Sequence, residues 1–460
     1  MQTTTTPQLD IDLLRTDVRG SVITPDDPTY DETRTVMPGD VDGHPAAIVR
    51  VADADDVAAV IAFARDSGAE LAVRCGGHSG AGHSTTEGGV VIDLRDLKAI
   101  EIDPEARTAW AEGGATAAEV TIAAAEHDLA IGFGDTGSVG IGGLTLGGGV
   151  GYLVRKHGLT IDNLLAAEIV TASGERVLVD AEQHPDLFWA IRGGGGNFGV
   201  VTRFKYRLHP LGEMVGGILI LPATVETIAG YVAASEAAPE ELSGIGNVMP
   251  CPPMPFVPEE HHGKLVVMAI LAYAGPVDEG QAAMAPFREL ATPLADMVRP
   301  IRYPEMYPPA EEEYRPLAVA RTMFIDHVDG AVAETILEHL EASDAPMRAC
   351  QLRVLGGAMA RVPADATAFA HRSSKIMVNI AAFYEGPQDR AAKEAWVEGF
   401  VAAIQQGDKG AYVNFLVDEG QERVHAAYPG KTYERLAAVK ATYDPDDLFR
   451  RNQNILPATS

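Results

Sequence analysis

The segment RCGGHSGAGHS, Arg74 to Ser84, gathers reactive side chains in a stretch that is otherwise mostly glycine. Imidazole nitrogen is a nucleophile, a proton carrier and a metal ligand, and His78 and His83 lie here beside Cys75. Their spacing, C-x2-H-x4-H, offers three potential zinc ligands. No fourth ligand is nearby, and loop glycines supply few groups to orient a coordinating ring. Metal is therefore not expected, and a free-standing loop histidine would be only a polar residue.

Two more glycine clusters follow. The run LAIGFGDTGSVGIGGLTLGGGVGYL, ending at Leu153, holds ten glycines, and a third cluster spans Gly193 to Gly199. Glycine lets a ligand approach main-chain amides closely, and successive N–H groups form an anion nest without lysine. Tight turns and close packing explain any one cluster. Three clusters separated by strands point instead to one extended ligand threaded between layers, and a diphosphate-bridged dinucleotide has that length. GFGDTG, Gly132 to Gly137, matches G-x-G-x-x-G literally. The acidic residue that a Rossmann fingerprint places about 20 positions on is replaced by the RKHG region, and no P-loop pattern occurs.

Strands and helices must hold these loops. AAIVRV reads as a strand, DADDVAAVIAFARDSG as a helix closed by Gly68, and ELAVR as the strand that delivers Arg74. VVIDL and TAWAEG are further strands, and Thr116 opens a helix over TAAEVTIAAAEHD. LAAEIVTASGERVLV reads as a hairpin, PDLFWAIRG as a short helix and VVTRFKYRL as a strand. From about Leu211 longer helices and strands take over, with the texture of an α+β unit built on a mostly antiparallel sheet. SGIGNVMPCPPMPFVPEEHHG reads as a Pro-rich loop. AYVNFLVD alternates, so it reads as a strand with Tyr412, Asn414 and Leu416 on one face.

The chain has 460 residues and a formal charge of -29, with 36 basic and 65 acidic side chains. Such a surface repels nucleic acid and anionic lipid, so neither is an expected partner. Only 9 of the basic residues are lysine; an acid-rich, lysine-poor surface suits high salt, although plain solubility explains it equally. MQTTTTPQLD lacks the parts of a secretory signal, no apolar run is long enough for a membrane span, and the three scattered cysteines suggest a reducing compartment. The expected location is the cytoplasm; oligomeric state is not readable.

Four motifs in order, RCGGHS, GSVGIGGLTLGGGVGYLVRKHGLTIDN, FWAIRGGGGNFGVVT, and YVNF with VKATYDPDDLFRRNQNILP, resemble the berberine-bridge-enzyme-like branch of the vanillyl-alcohol oxidase / p-cresol methylhydroxylase (PCMH) superfamily. The bacterial single-link 6-hydroxy-D-nicotine oxidase type is nearest in pattern. The resemblance implies an α+β fold: a PCMH-type FAD-binding domain of two subdomains over residues 1–210, an α+β substrate domain over 211–409, and a C-terminal segment, 410–460, returning to the first. It implies FAD bonded covalently to His78. Cofactor contacts are implied for Arg74, Gly76, Gly77, His78 and Ser79 in the first loop, with Arg74 helping to neutralise the diphosphate. In the second they fall to Thr136, Gly137, Ser138, Val139, Gly140, Gly142, Gly143, Leu144 and Gly147. Gly199, Val200, Asn414, Asn452 and Asn454 complete the set.

Thr136 stands where many relatives carry a second flavin-linking cysteine, so one bond is expected. Val150 and Leu144 replace a tyrosine and a histidine common in the family, while Val139 looks like the choice of an oxidase. The implied reaction is hydride removal from a small alcohol, sugar or amine, with O2 as acceptor and H2O2 as product. A dehydrogenase or flavin-dependent cyclase would share the fold, and a non-catalytic flavin carrier is the reading of another class. The family often uses a tyrosine of the AYVNF segment as base, which makes Tyr412 the catalytic candidate, with Tyr152 in reserve. A free phenol titrates near ~10, so a base at neutral pH needs a lowered value.

Overall fold

The computed structural model describes residues 9–308 and 315–459. Three sheets organise it. In the first, strands Ala47–Arg50 and Leu71–Arg74 flank Val90–Asp93 in parallel, and Ser21–Ile23 adds an antiparallel edge. Helix Ala54–Ser67 is the crossover from Ala47–Arg50 to Leu71–Arg74, the parallel strands on either side of Val90–Asp93. The Asp53 side chain accepts from the Asp55 and Asp56 amides at its start, and Gly68 (φ +70°) closes it. Val57, Val60, Ile61 and Ala64 of this helix pack on Val49, Leu71, Val90 and Ile92.

The second sheet is antiparallel, in the order Ile100–Asp103, Thr108–Glu112, Val200–Arg207, Leu164–Val170, Arg176–Asp180. Beside it, helix Ala117–Ala125 begins with a complete capping box between Thr116 and Glu119. The hairpin, the Pro185 helix and the strand after it form as the sequence predicts.

The third sheet has eight strands, and its described pairings are antiparallel. Helices Val225–Ala237, Gly330–Ala342 and Arg390–Ile404 bury an apolar stripe on one of its faces, with Phe400 and Ile404 in that core and Trp396 against it. One expectation fails here. Leu242–Pro250, read as loop, is an interior strand paired on both sides. Its glycines conceal it: a Cβ at Gly244 would sit 2.9 Å from Leu271 Cδ2 and 3.1 Å from the Tyr231 hydroxyl, and a Cβ at Gly246 would strike the Tyr231 ring. The strand gives up side chains to admit a tyrosine from the helix above it.

The C-terminal residues come back to the first two sheets. Arg451 donates to the carbonyls of Gly82 (2.8 Å) and Thr85 (2.9 Å), and Asn452 donates to Gly196 O (3.2 Å). Fully buried Lys440 anchors this tail through Phe449 O, Asn454 Oδ1 (both 2.9 Å) and Asp447 (2.6 Å). No described helix is long and apolar enough to cross a membrane.

Candidate active site

The first two glycine clusters meet back to back. A Cβ at Gly76 would press on Gly140 N, with Ser138 O at 3.0 Å, and one at Gly140 would lie 2.6 Å from Cys75 Cβ. Only glycine at both positions lets the two main chains touch. The strand Leu71–Arg74 delivers one loop; the pairing of Ala117 N with Val139 O and of Ile141 N with Ala115 O fixes the other, both at 2.9 Å.

Along this seam one side is open. Gly80 and Gly143 are exposed, while His78, Ser79, Ser138 and Val139 are half-buried. Among the described residues, the amides of Gly76, Gly77, His78, Ser79 and Gly80 find no protein acceptor. A run of free N–H groups is what an anionic ligand requires, and nothing lies within 4 Å of a Cβ built on Gly143 or Gly196. Burial lowers the His78 pKa, opposed by the Ser138 carbonyl that faces the ring. The imidazole is therefore neutral at neutral pH and keeps a nitrogen lone pair, the form in which it is a nucleophile. Free donors, open glycines and a neutral histidine fit a dinucleotide with a covalent attachment point.

At the other end of the seam the C-terminal segment enters. Tyr412 is buried, its ring edge-on to Phe415 (5.1 Å) and Phe369 (6.2 Å). Its oxygen receives the amides of Gly149 (3.0 Å) and Val150 (3.4 Å) and Asn414 Nδ2 (3.0 Å). Asn414 also donates to Leu144 O at 3.0 Å, and its side chain fills the place a Cβ on Gly147 would take.

Residues 45–180 match the FAD binding domain family, and residues 411–456 the berberine and berberine-like family. (R)-6-hydroxynicotine oxidase of Paenarthrobacter nicotinovorans is 30% identical over 463 residues, covering 96% of this chain and 98% of that protein. The chain belongs to the berberine-bridge-like FAD-linked oxidoreductases. Xylooligosaccharide oxidase of Thermothelomyces thermophilus is 28% identical over 90% of this chain and 88% of its own. The solved structure of 6-hydroxy-D-nicotine oxidase from Arthrobacter nicotinovorans superposes with a TM-score of 0.85 at 29% identity, covering 96% of this chain and 98% of that one. The protein is thus an enzyme that binds FAD, with the α+β fold of the PCMH superfamily.

Within this berberine-bridge-like frame several sequence expectations change. Arg74 does not face the open side: it is buried, its guanidinium bonded to Asp93 (2.7 Å) and Arg34 O (3.3 Å). Burial alone would raise the Asp93 carboxyl, but Arg95 and Arg74 outweigh it and hold the group below its usual range. With its guanidinium turned to Asp93, Arg74 offers no donor to the open side, and main-chain amides are the donors left there. AYVNFLVD is not a strand. Val413–Phe415 is a 3-10 turn, because Tyr412 and Asn414 bond to the glycine segment instead of to a neighbouring strand.

Other candidates occupy structural places. A Cβ on Gly199 (φ +151°) would lie 2.5 Å from Val170 O, so this glycine and buried Val200 start a central strand. Asn454 is held by Lys440 and by Asp447 (3.0 Å), and Asn452 braces Gly196. Gly142 abuts the Cys75 sulfur. Gly77 (φ +72°) makes the turn before His78. Gly137 packs on Tyr307, and Leu144 lies in the core. Thr136 is exposed, bonded to Asp135 at 3.2 Å. Cys75, His78 and His83 form no ligand set; among the described residues no group of three potential metal ligands occurs.

For Tyr412 the direction is opposite to what a resting base needs. Burial raises its pKa above the usual phenol value, only partly offset by Asn414, the Gly149 and Val150 amides and Arg353. The phenol is protonated at neutral pH. Arg353 lies in CQLRVL, which carries no motif, and only its contacts with Asp135 and Val150 bring it here.

Proposed function

We propose that this enzyme is an oxidase of small alcohols, sugars or amines, with FAD attached through His78 and O2 as electron acceptor. Bound FAD supplies a hydride acceptor and a route for electron pairs to oxygen, with H2O2 as product. His78 supplies the tether, its neutral ring oriented by the Ser138 carbonyl. The free amides of residues 76–80 hold the diphosphate, and Gly143 and Gly196 leave it room. With Thr136 at the place of a second linking cysteine, the cofactor has one bond. Half-buried Val139 borders the open side, and its small side chain there supports O2 as the acceptor.

Tyr412 takes the proton from the substrate heteroatom while the hydride leaves its carbon. Because the phenol is protonated at neutral pH, the rate of this step follows the small ionised fraction and climbs with pH.

The observation that carries the proposal is a neutral, half-buried histidine in the middle of a row of free amides. Anaerobic flavin reduction, screened against sugars, alcohols and cyclic amines, tests it. One or more of these should bleach the flavin, and under air one H2O2 should form per substrate consumed. Bleaching without peroxide would mean a dehydrogenase; no bleaching by any member would favour a carrier. Tyr412→Phe should abolish the alkaline rise in the rate of flavin reduction.

A further inference from the structure

The sheet of eight strands turns one face to its helices and the other to the glycine segment. On the second face Arg353 of strand Arg348–Val354 is buried. Its side chain is 5% exposed and paired with Asp135, the residue before Thr136. Nε donates to Gln351 Oε1 at 2.9 Å, and Gln351 in turn donates to Asn247 Oδ1 at 2.9 Å. The guanidinium is thus held from two sides, in a geometry that costs a long side chain little further entropy.

What it touches next is the surroundings of Tyr412. NH1 donates to the Val150 carbonyl (3.4 Å), and the Val150 amide is one of the three donors on the Tyr412 oxygen. The guanidinium carbon lies 5.1 Å from the centroid of Phe415, the ring that packs edge-on against Tyr412 at the same distance. One arginine therefore holds Val150 from its carbonyl side, one peptide on from the amide that meets the phenol, and braces the ring beside it. Asp135 offsets part of this charge, but it is 26% exposed and screened by water, whereas the guanidinium is 5% exposed and acts on a neighbouring anion through a low dielectric.

We propose that Arg353 is a positioning residue for Tyr412, fixing residue Val150 and the Phe415 ring beside the phenol and supplying the positive charge that stabilises its ionised form. This rests on the reading of Tyr412 as the proton acceptor. Three N–H donors already converge on the oxygen, and the hydroxyl proton has no protein acceptor among the described residues. Such a site is built for an oxygen without its proton. Other charged groups are less well placed. The Asp162–Arg372 pair meets Tyr412 only across Phe369, over which Arg372 lies at 5.3 Å. His371, 5.8 Å from Phe369, is kept neutral by burial. Tyr152 and Tyr231 also feel Arg353, but burial holds both phenols far above their usual value.

The test uses holoenzyme labelled with [13C-ζ]tyrosine, in which the Tyr412 resonance is identified by its loss in Tyr412→Phe and titrated from pH 7 to 11. No substrate is needed. Arg353→Gln, which keeps hydrogen-bonding groups but no charge, should cut the ionised fraction at pH 11 about tenfold, a shift up of a unit or more that carries the midpoint past the range scanned. Arg353→Lys, which keeps the charge, should leave it within a few tenths of wild type. A structural role alone would predict that the two variants titrate alike, and that result overturns the proposal, as does Arg353→Gln at the wild-type position. Should Arg353→Gln not fold, Arg353→Lys decides: a shift upward of a unit refutes the charge role. Failure of the parent reading looks different, because Tyr412→Phe would then keep the wild-type pH profile of flavin reduction.

Discussion

Replacing Gly140 with alanine tests the back-to-back loops. Gly140 has φ -66° and ψ 134°, a conformation alanine adopts without strain, so the effect must come from contact. The new Cβ would lie 2.6 Å from Cys75 Cβ and 3.2 Å from Cys75 C, whereas carbon atoms rest at about 3.5–4.0 Å. The obstacles are main chain and a buried Cβ, which cannot rotate away, so the loops must part by roughly 1 Å. Overpacking of this kind costs about 1–3 kcal/mol. Parting also displaces the amides of residues 76–80 from the anion they are placed to hold. The assay is flavin content of purified protein together with its thermal unfolding. Gly140→Ala should melt a few degrees lower and retain little flavin. Gly143→Ala, three residues on with nothing within 4 Å, is the control: as apoprotein it should melt at or a little above wild type, because alanine favours a helix by up to about 1 kcal/mol. Wild-type flavin content and melting in Gly140→Ala would refute the close-contact argument.

Three further outcomes follow from the same structure. Arg372 and Asp162, 3% and 9% exposed, share bonds of 2.7 and 2.8 Å; Arg372→Met leaves a buried carboxylate unpaired and should cost about 3–5 kcal/mol, read as a lower urea midpoint. His157 and His209 stack at 3.9 Å, and burial depresses their pKa values to about 3 and about 4. Since the unfolded chain takes up protons below about 6.5, their contribution is complete above that pH and is lost as pH falls towards 4. Melting temperature should therefore drop between pH 6.5 and 5, and His157→Phe should flatten the drop. With a formal charge of -29, self-repulsion is screened by salt, so melting temperature should rise from low to molar KCl.

The glycine loops drew a ligand reading because three clusters recur between strands and match family motifs in order; any one of them alone reads as a tight turn. Helices with explicit caps, such as those begun by Asp53 and Thr116, were equally clear. What escaped depends on partners remote in sequence. The glycines of Leu242–Pro250 read as loop until Tyr231 is seen lying over them. The alternation of AYVNFLVD suggested a strand, but side-chain bonds to Leu144, Gly149 and Val150 coil it into a turn. Arg74 looked like a phosphate ligand because Asp93 is 19 residues away. Arg353 meets Asp135 across 218 residues, a pairing no local pattern announces.

The measurement closest to the central claim is intact-mass analysis of the denatured protein from riboflavin-replete cells, followed by sequencing of the tryptic peptide Cys75–Arg95. The expected result is one FAD per chain, carried on His78 and absent from His78→Ala. A bare polypeptide mass, or a flavin located on His83 instead, would contradict the account.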